Sequence, residues 1–123
     1  MSDTSKTLAD LTTAVLAFRD ARDWKQFHTP KNLSAALAIE AGELQETLLW
    51  KTDEQISDVL TVPEGREKIA DEIADVMLYA MLFADATGID PSDAIIRKLE
   101  KNNVKYPVEW SKGSIRKYTE RHK

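Results

Sequence analysis

Cysteine is missing from all 123 residues, which excludes disulfides, thiolate metal sites and thiol chemistry. Histidine is nearly missing: His28 and His122 are too few for a multi-histidine zinc centre. No long apolar run exists either. The longest strongly apolar stretch, VMLYAMLFA, falls far short of the ~20 residues of a membrane span. The opening MSDTSK is polar and has no signal-peptide core. A cytoplasmic setting with no membrane partner is the expectation. Cationic charge is also in deficit. The net charge of −4 argues against a nucleic-acid polymer as partner.

What is present has the balance of a soluble globular chain, 42 % hydrophobic and 31 % charged. The length suits one domain over residues 1–123, with a polar N-terminus (about 1–7) and a basic tail (about 111–123). Charge is unevenly spread. Residues 40–75 carry eleven acids against Lys51, Arg66 and Lys68, whereas residues 97–123 carry nine Lys or Arg against three acids. The plain reading is uneven solvated surface. The sharper one is a cation site facing an anion-binding end.

Apolar residues recur at helical spacing, and no segment alternates as a strand does. Leu8, Leu11, Val15 and Phe18 predict a first helix, ending near RDARDW. Thr29 followed by Pro30 predicts the start of a second, running to about Lys51. TDEQISDVL reads as a short helix or as loop, and TVPEG breaks the pattern. A long helix spans about Glu64 to Thr87, stopped by Gly88. Asp90 and Pro91 start another, which ends before Pro107. The expectation is an all-α bundle of four to five helices.

The segment IEAGELQETLLW breaks its own pattern. Leu33, Leu37, Ala41, Leu44 and Leu48 form an apolar stripe, and Glu40 points into its middle, with Glu43 at i+3. On the long helix the stripe is Ile69, Ile73, Val76, Ala80 and Phe83; Glu72 lies on its edge and Asp75 at i+3. One Glu-x-x-Glu alone is usually a solvated face. Two acid pairs tipped inward are different, because unpaired buried carboxylates cost several kcal/mol. A divalent cation is the natural compensation. All-oxygen ligands suit Mg²⁺, with Mn²⁺ as a substitute, rather than zinc. A di-iron bundle would place histidine at the i+3 positions, where Glu43 and Asp75 stand.

Glu40-x-x-Glu43, then 28 residues, then Glu72-x-x-Asp75 resembles the signature of the MazG-like all-α nucleotide pyrophosphohydrolases. RDARDWKQFHTPKNLSAALAIEAGELQETLLWK, DEIADVMLY and KNNVKYPVEWSKGSIRKY extend the resemblance over roughly residues 11–119, nearest the dCTP pyrophosphatase branch. The resemblance implies Mg²⁺-dependent hydrolysis of a nucleoside triphosphate, dCTP or a modified dCTP, to monophosphate and pyrophosphate. It also implies a homodimer or a dimer of dimers, and Glu40, Glu43, Glu72 and Asp75 as catalytic metal ligands.

The remaining motif residues fit the same reaction. Trp24 and Trp50 are candidates for stacking on the base, and His28 for hydrogen bonding to its edge. Trp50, seven residues after Glu43, is expected on the acid face two turns on. Tyr79, at i+4 from Asp75, faces the same way and is a candidate either to pack against the sugar or to fill the core. Lys98, Asn102 and Tyr106 are implied to contact phosphates or sugar, and Lys112, Ser114, Lys117 and Tyr118 match a family segment. Two alternatives stay open: a non-catalytic dimerisation or nucleotide-sensing module, and the same reaction on another substrate such as dUTP.

Overall fold

The computed structural model describes residues 5–121, so His122 lies outside the described residues. The chain divides into two compact units between Ile89 and Asp90. The first holds α1 (Leu8–Ala21), a 3₁₀ turn at Lys25–Phe27, α2 (Pro30–Glu46), α3 (Asp53–Thr61) and α4 (Pro63–Thr87). The second holds α5 (Pro91–Lys105), α6 (Val108–Ser111) and a 3₁₀ turn at Tyr118–Glu120. Among the described residues there is no strand, so the architecture is all-α. Six α-helices form rather than four or five, because one further helical turn, α6, follows Pro107.

The helix starts follow local chemistry. The Thr7 hydroxyl accepts from the Asp10 amide, and the Asp10 carboxylate accepts from the Thr7 amide. Thr29 accepts from the Asn32 amide, with Pro30 in the first helical position, where no amide hydrogen is needed. Thr52 and Gln55 form a second reciprocal box, which is why TDEQISDVL is helix and not loop. Asp90 caps α5. Gly88 ends α4 at φ 70°, a left-handed conformation that suits glycine.

One boundary departs from expectation. α2 stops at Glu46, short of Lys51. The Thr47 hydroxyl donates back to the Leu44 carbonyl at 2.6 Å, and the amides of Leu48 and Leu49 both reach the Gln45 carbonyl. Such back-bonding competes with the regular helical ladder. The chain turns over residues 47–50 and sets Trp50 at φ 65°.

In the first unit α4 is the common partner of α1, α2 and α3, and α2 with α4 is the most extensive pairing. Leu33 of α2 is the most deeply buried large side chain, with Met81, Leu82 and Ala84 of α4 also buried. Much of the rest stays open. Leu11, Phe18, Met77 and Leu78 are exposed and border an apolar groove of about 430 Å³ between α1 and α4.

Val62 alone joins α3 to α4; it ends one helix and caps the next, and Pro63 starts α4 at once. Gly65 makes this join possible. A Cβ there would lie 2.6 Å from the Val59 carbonyl oxygen.

Candidate active site

Packing of α2 on α4 brings the acids together. Carboxylate oxygens of Glu40, Glu43 and Glu72 all lie within 4.8 Å of one another. Glu40 and Glu72 are half-buried, and each has an Oε2 that is buried without a hydrogen-bond partner. Burial pushes the Glu40 carboxyl up to about 7, helped by its hydrogen bond with Glu43 and by the charges of Glu43, Asp75 and Glu72. Burial also raises Glu72, as do Glu43 and Asp75, while Lys68 pulls it back. Asp75 is close enough to act on both groups yet stands outside the 4.8 Å cluster.

Three features of a cation site therefore coincide in one cluster: converging oxygens, orphaned buried lone pairs, and carboxyls that resist ionisation alone. The donor set is all oxygen, which fits a hard divalent ion. Glu40, Glu43 and Glu72 can hold a metal. A cleft of about 350 Å³ opens beside them, lined by Glu43, Glu46, Thr47, Lys68 and Glu72. Lys68 was not among the sequence candidates. Its position four residues before Glu72, on the same helix face, was the available signal.

These shifts have a thermodynamic consequence. Folded Glu40 holds its proton to about 7, whereas the free side chain loses it near 4.5. Between those values the folded state binds more protons than the unfolded one, so stability falls as pH rises through the window. The metal-free chain is expected to melt at a higher temperature at pH 5 than at pH 7.5. Saturating Mg²⁺ at pH 7.5 should reverse the deficit, and calorimetric scans at the two pH values check both statements.

A second, smaller cavity of about 170 Å³ adjoins on the α1–α4 side. Trp24, His28, Tyr79 and Asp75 all line it, so Asp75 belongs to this pocket while acting on the acid cluster. Trp24 meets Phe18 edge-on at 5.7 Å, and the Arg22 guanidinium lies 3.6 Å over the Phe18 ring. His28 has a buried Nδ1 with no partner. Burial and then the Arg19 charge lower its proton affinity, which leaves the imidazole neutral near pH 7. Arg19 also lines the cavity, and sequence reading had passed over it.

Trp50 is not brought to this pocket. Because α2 ends early, its indole does not continue the acid face and is 92 % exposed. In the second unit Lys98 is exposed and Asn102 half-buried on α5, while Tyr106 caps that helix. The Tyr106 ring meets Tyr118 edge-on at 5.8 Å, and Lys105 lies 4.7 Å over Tyr118. Lys112, Ser114 and Lys117 are exposed.

The model of the MazG-like family matches residues 35–120, a span that includes all four acids. The chain belongs to the MazG-like family. This MazG-like chain is 39 % identical over 114 residues to dCTP pyrophosphatase 1 of Mus musculus, covering 93 % of this chain and 67 % of the mouse protein. It is 38 % identical to dCTP pyrophosphatase 1 of Homo sapiens over the same shares. Among solved structures it resembles a pyrophosphatase from Archaeoglobus fulgidus, with a TM-score of 0.74 and 36 % identity over 87 % of this chain and 98 % of that one. Among the described residues no helix is long and apolar enough to cross a membrane.

Proposed function

We propose that this chain is a Mg²⁺-dependent nucleoside triphosphate pyrophosphohydrolase that converts dCTP to dCMP and pyrophosphate. The observation that carries this reading is the juxtaposition of the acid cluster, with its two orphaned oxygens, and an aromatic cavity, joined through Asp75. The relatives named for dCTP hydrolysis support the substrate.

Glu40, Glu43 and Glu72 would hold the cation, with Asp75 completing the set. The chemistry a cation held by these carboxylates would supply is neutralisation of phosphate charge at the reacting phosphorus and on the departing pyrophosphate. The protein's own part is positioning and proton handling. Glu40 is the candidate to take the proton of the attacking water; Glu43 is the alternative. Trp24 would stack on the base and neutral His28 hydrogen-bond to its edge, while Tyr79 packs against the sugar. A cavity of about 170 Å³ is below the ~300–1,000 Å³ usual for whole ligands, so it takes one ring and leaves sugar and phosphates outside. Lys98, Asn102 and Tyr106 carry donors for phosphate or sugar, as the family resemblance implies. Trp50 keeps its stacking role only if binding brings a base to its exposed indole. The apolar α1–α4 groove supports a homodimer or homotetramer, with a second copy covering Leu11, Phe18 and Met77.

The test is product identification across a nucleotide panel. Incubation with dCTP and Mg²⁺ should yield dCMP and pyrophosphate. Release of dCDP and orthophosphate sinks the proposed reaction. Binding without turnover identifies a sensor instead.

A further inference from the structure

Arg19 is the one buried charged residue among the described residues, 5 % exposed, in a chain with few buried side chains of any kind. A buried guanidinium persists only if it is paired. Here it is paired twice: Nε donates to Asp20 Oδ1 and Nη1 donates to Asp85 Oδ2, both at 2.8 Å. The first partner is its sequence neighbour. The second is 66 residues away on α4. Two anchors at different nitrogens fix both the position and the plane of the group. Neither bond uses Nη2. Arg19 nevertheless lines the small cavity beside Trp24, His28 and Tyr79. A held guanidinium with spare donors therefore stands at a pocket sized for one ring.

Resting on the reading that this cavity takes the base, we propose that Arg19 selects cytosine over uracil and thymine by donating to the adjacent ring acceptors N3 and O2. Arginine has donors only and keeps its charge. Cytosine offers unprotonated N3 next to carbonyl O2, two acceptors side by side. Uracil and thymine carry a hydrogen on N3, so a donor would face a donor. Both are then left unpaired at that contact, and sites built on hydrogen bonds reject such analogues strongly. Asp20 and Asp85 are positioning residues: they hold the guanidinium and need not touch the base.

The experiment compares the wild-type chain with Arg19→Lys and with the double variant Arg19→Gln/Asp85→Asn. Lysine keeps the charge and a partner for Asp85 but loses the planar fork. The double change removes the guanidinium together with its less exposed partner, and the Asp20 carboxylate that remains is 57 % exposed and solvated. Two readouts are taken: kcat/KM for dCTP and for dUTP, and binding of dCMP and of dUMP to the metal-free chain, followed by tryptophan fluorescence. The expected result is a fall of about tenfold or more in the dCTP-to-dUTP ratio of kcat/KM in both variants. It should arise from a higher KM for dCTP with kcat kept within a few fold, and the dCMP preference should fall in parallel. A purely structural role would weaken both nucleotides alike and leave the ratio standing. A wild-type preference that survives in both variants overturns the Arg19 assignment alone. A wild-type chain that binds and turns over the two pyrimidines equally overturns this assignment and the base pocket with it.

Discussion

Replacing Glu40 or Glu72 with Gln should lower kcat on dCTP by about 10²–10³-fold, the scale seen when a buried electrostatic stabiliser is removed. The side chain keeps its length and its place on the helix, so helical content should be unchanged. The same substitutions should raise the melting temperature of the metal-free chain at pH 7.5 by a few degrees. Each removes a carboxylate that is half-buried, has an orphaned oxygen and is crowded by other acids. Loss of activity together with a gain in stability distinguishes a functional site from a structural ion-pair network. A variant that keeps wild-type turnover, or that melts earlier at pH 7.5, refutes the metal assignment. Asp75→Asn carries different information. Asp75 lines the base cavity and also acts on Glu40 and Glu72, so its loss should change both base preference and turnover.

Leu33→Ala should be the most destabilising single truncation in the first unit, at about 2–5 kcal/mol. Leu33 is 1 % exposed, and its removal leaves a cavity in the α2–α4 pairing. Leu37 and Leu44, on the same stripe, are only half-buried, so their truncation should cost less. Urea unfolding of the three variants checks the order. A Leu33→Ala midpoint equal to that of Leu44→Ala would show that α2 is not held at this end. Leu33 stands two helical turns before Glu40, and the same pairing aims Glu40 and Glu43 at Glu72. The variant should therefore bind Mg²⁺ more weakly, although no ligand has been touched.

Much of this was legible in residues whose local chemistry leaves little choice. Thr29–Pro30, Asp90–Pro91 and Gly88 each satisfy or end a helix by rules that act within a few residues, and each stands where expected. Glu40 was legible for a different reason: a carboxylate in an apolar stripe is costly unless something offsets it. The failures fall where no such rule acts. No Gly or Pro stands between Glu46 and Lys51 as a stop, so no local signal marks the end of α2, where the Thr47 hydroxyl reaches back to Leu44. Trp50 was misplaced as a result. Periodicity assigns a residue to a face but not to a partner, which hid the Arg19–Asp85 pair across 66 residues. It also left Asp75 equal to the other three acids, whereas the fold sets it between cluster and pocket. Lys68 was counted as one cation among many acids, although its spacing from Glu72 was visible.

The single-residue join at Val62 sets how this region breathes. The Arg66 amide donates to the Val62 carbonyl at 2.9 Å, while the Val62 amide donates to the Val59 carbonyl, so one residue closes two helices. With Gly65 pressed against Val59, there is no slack to absorb movement of either helix alone. α3 and the first turn of α4 are then expected to open and close as one cooperative segment, which hydrogen exchange should show as one common protection of their amides. Lys68 lies just past that turn. The Lys68 wall of the acid cleft and the short helix α3 are then expected to share the same opening event.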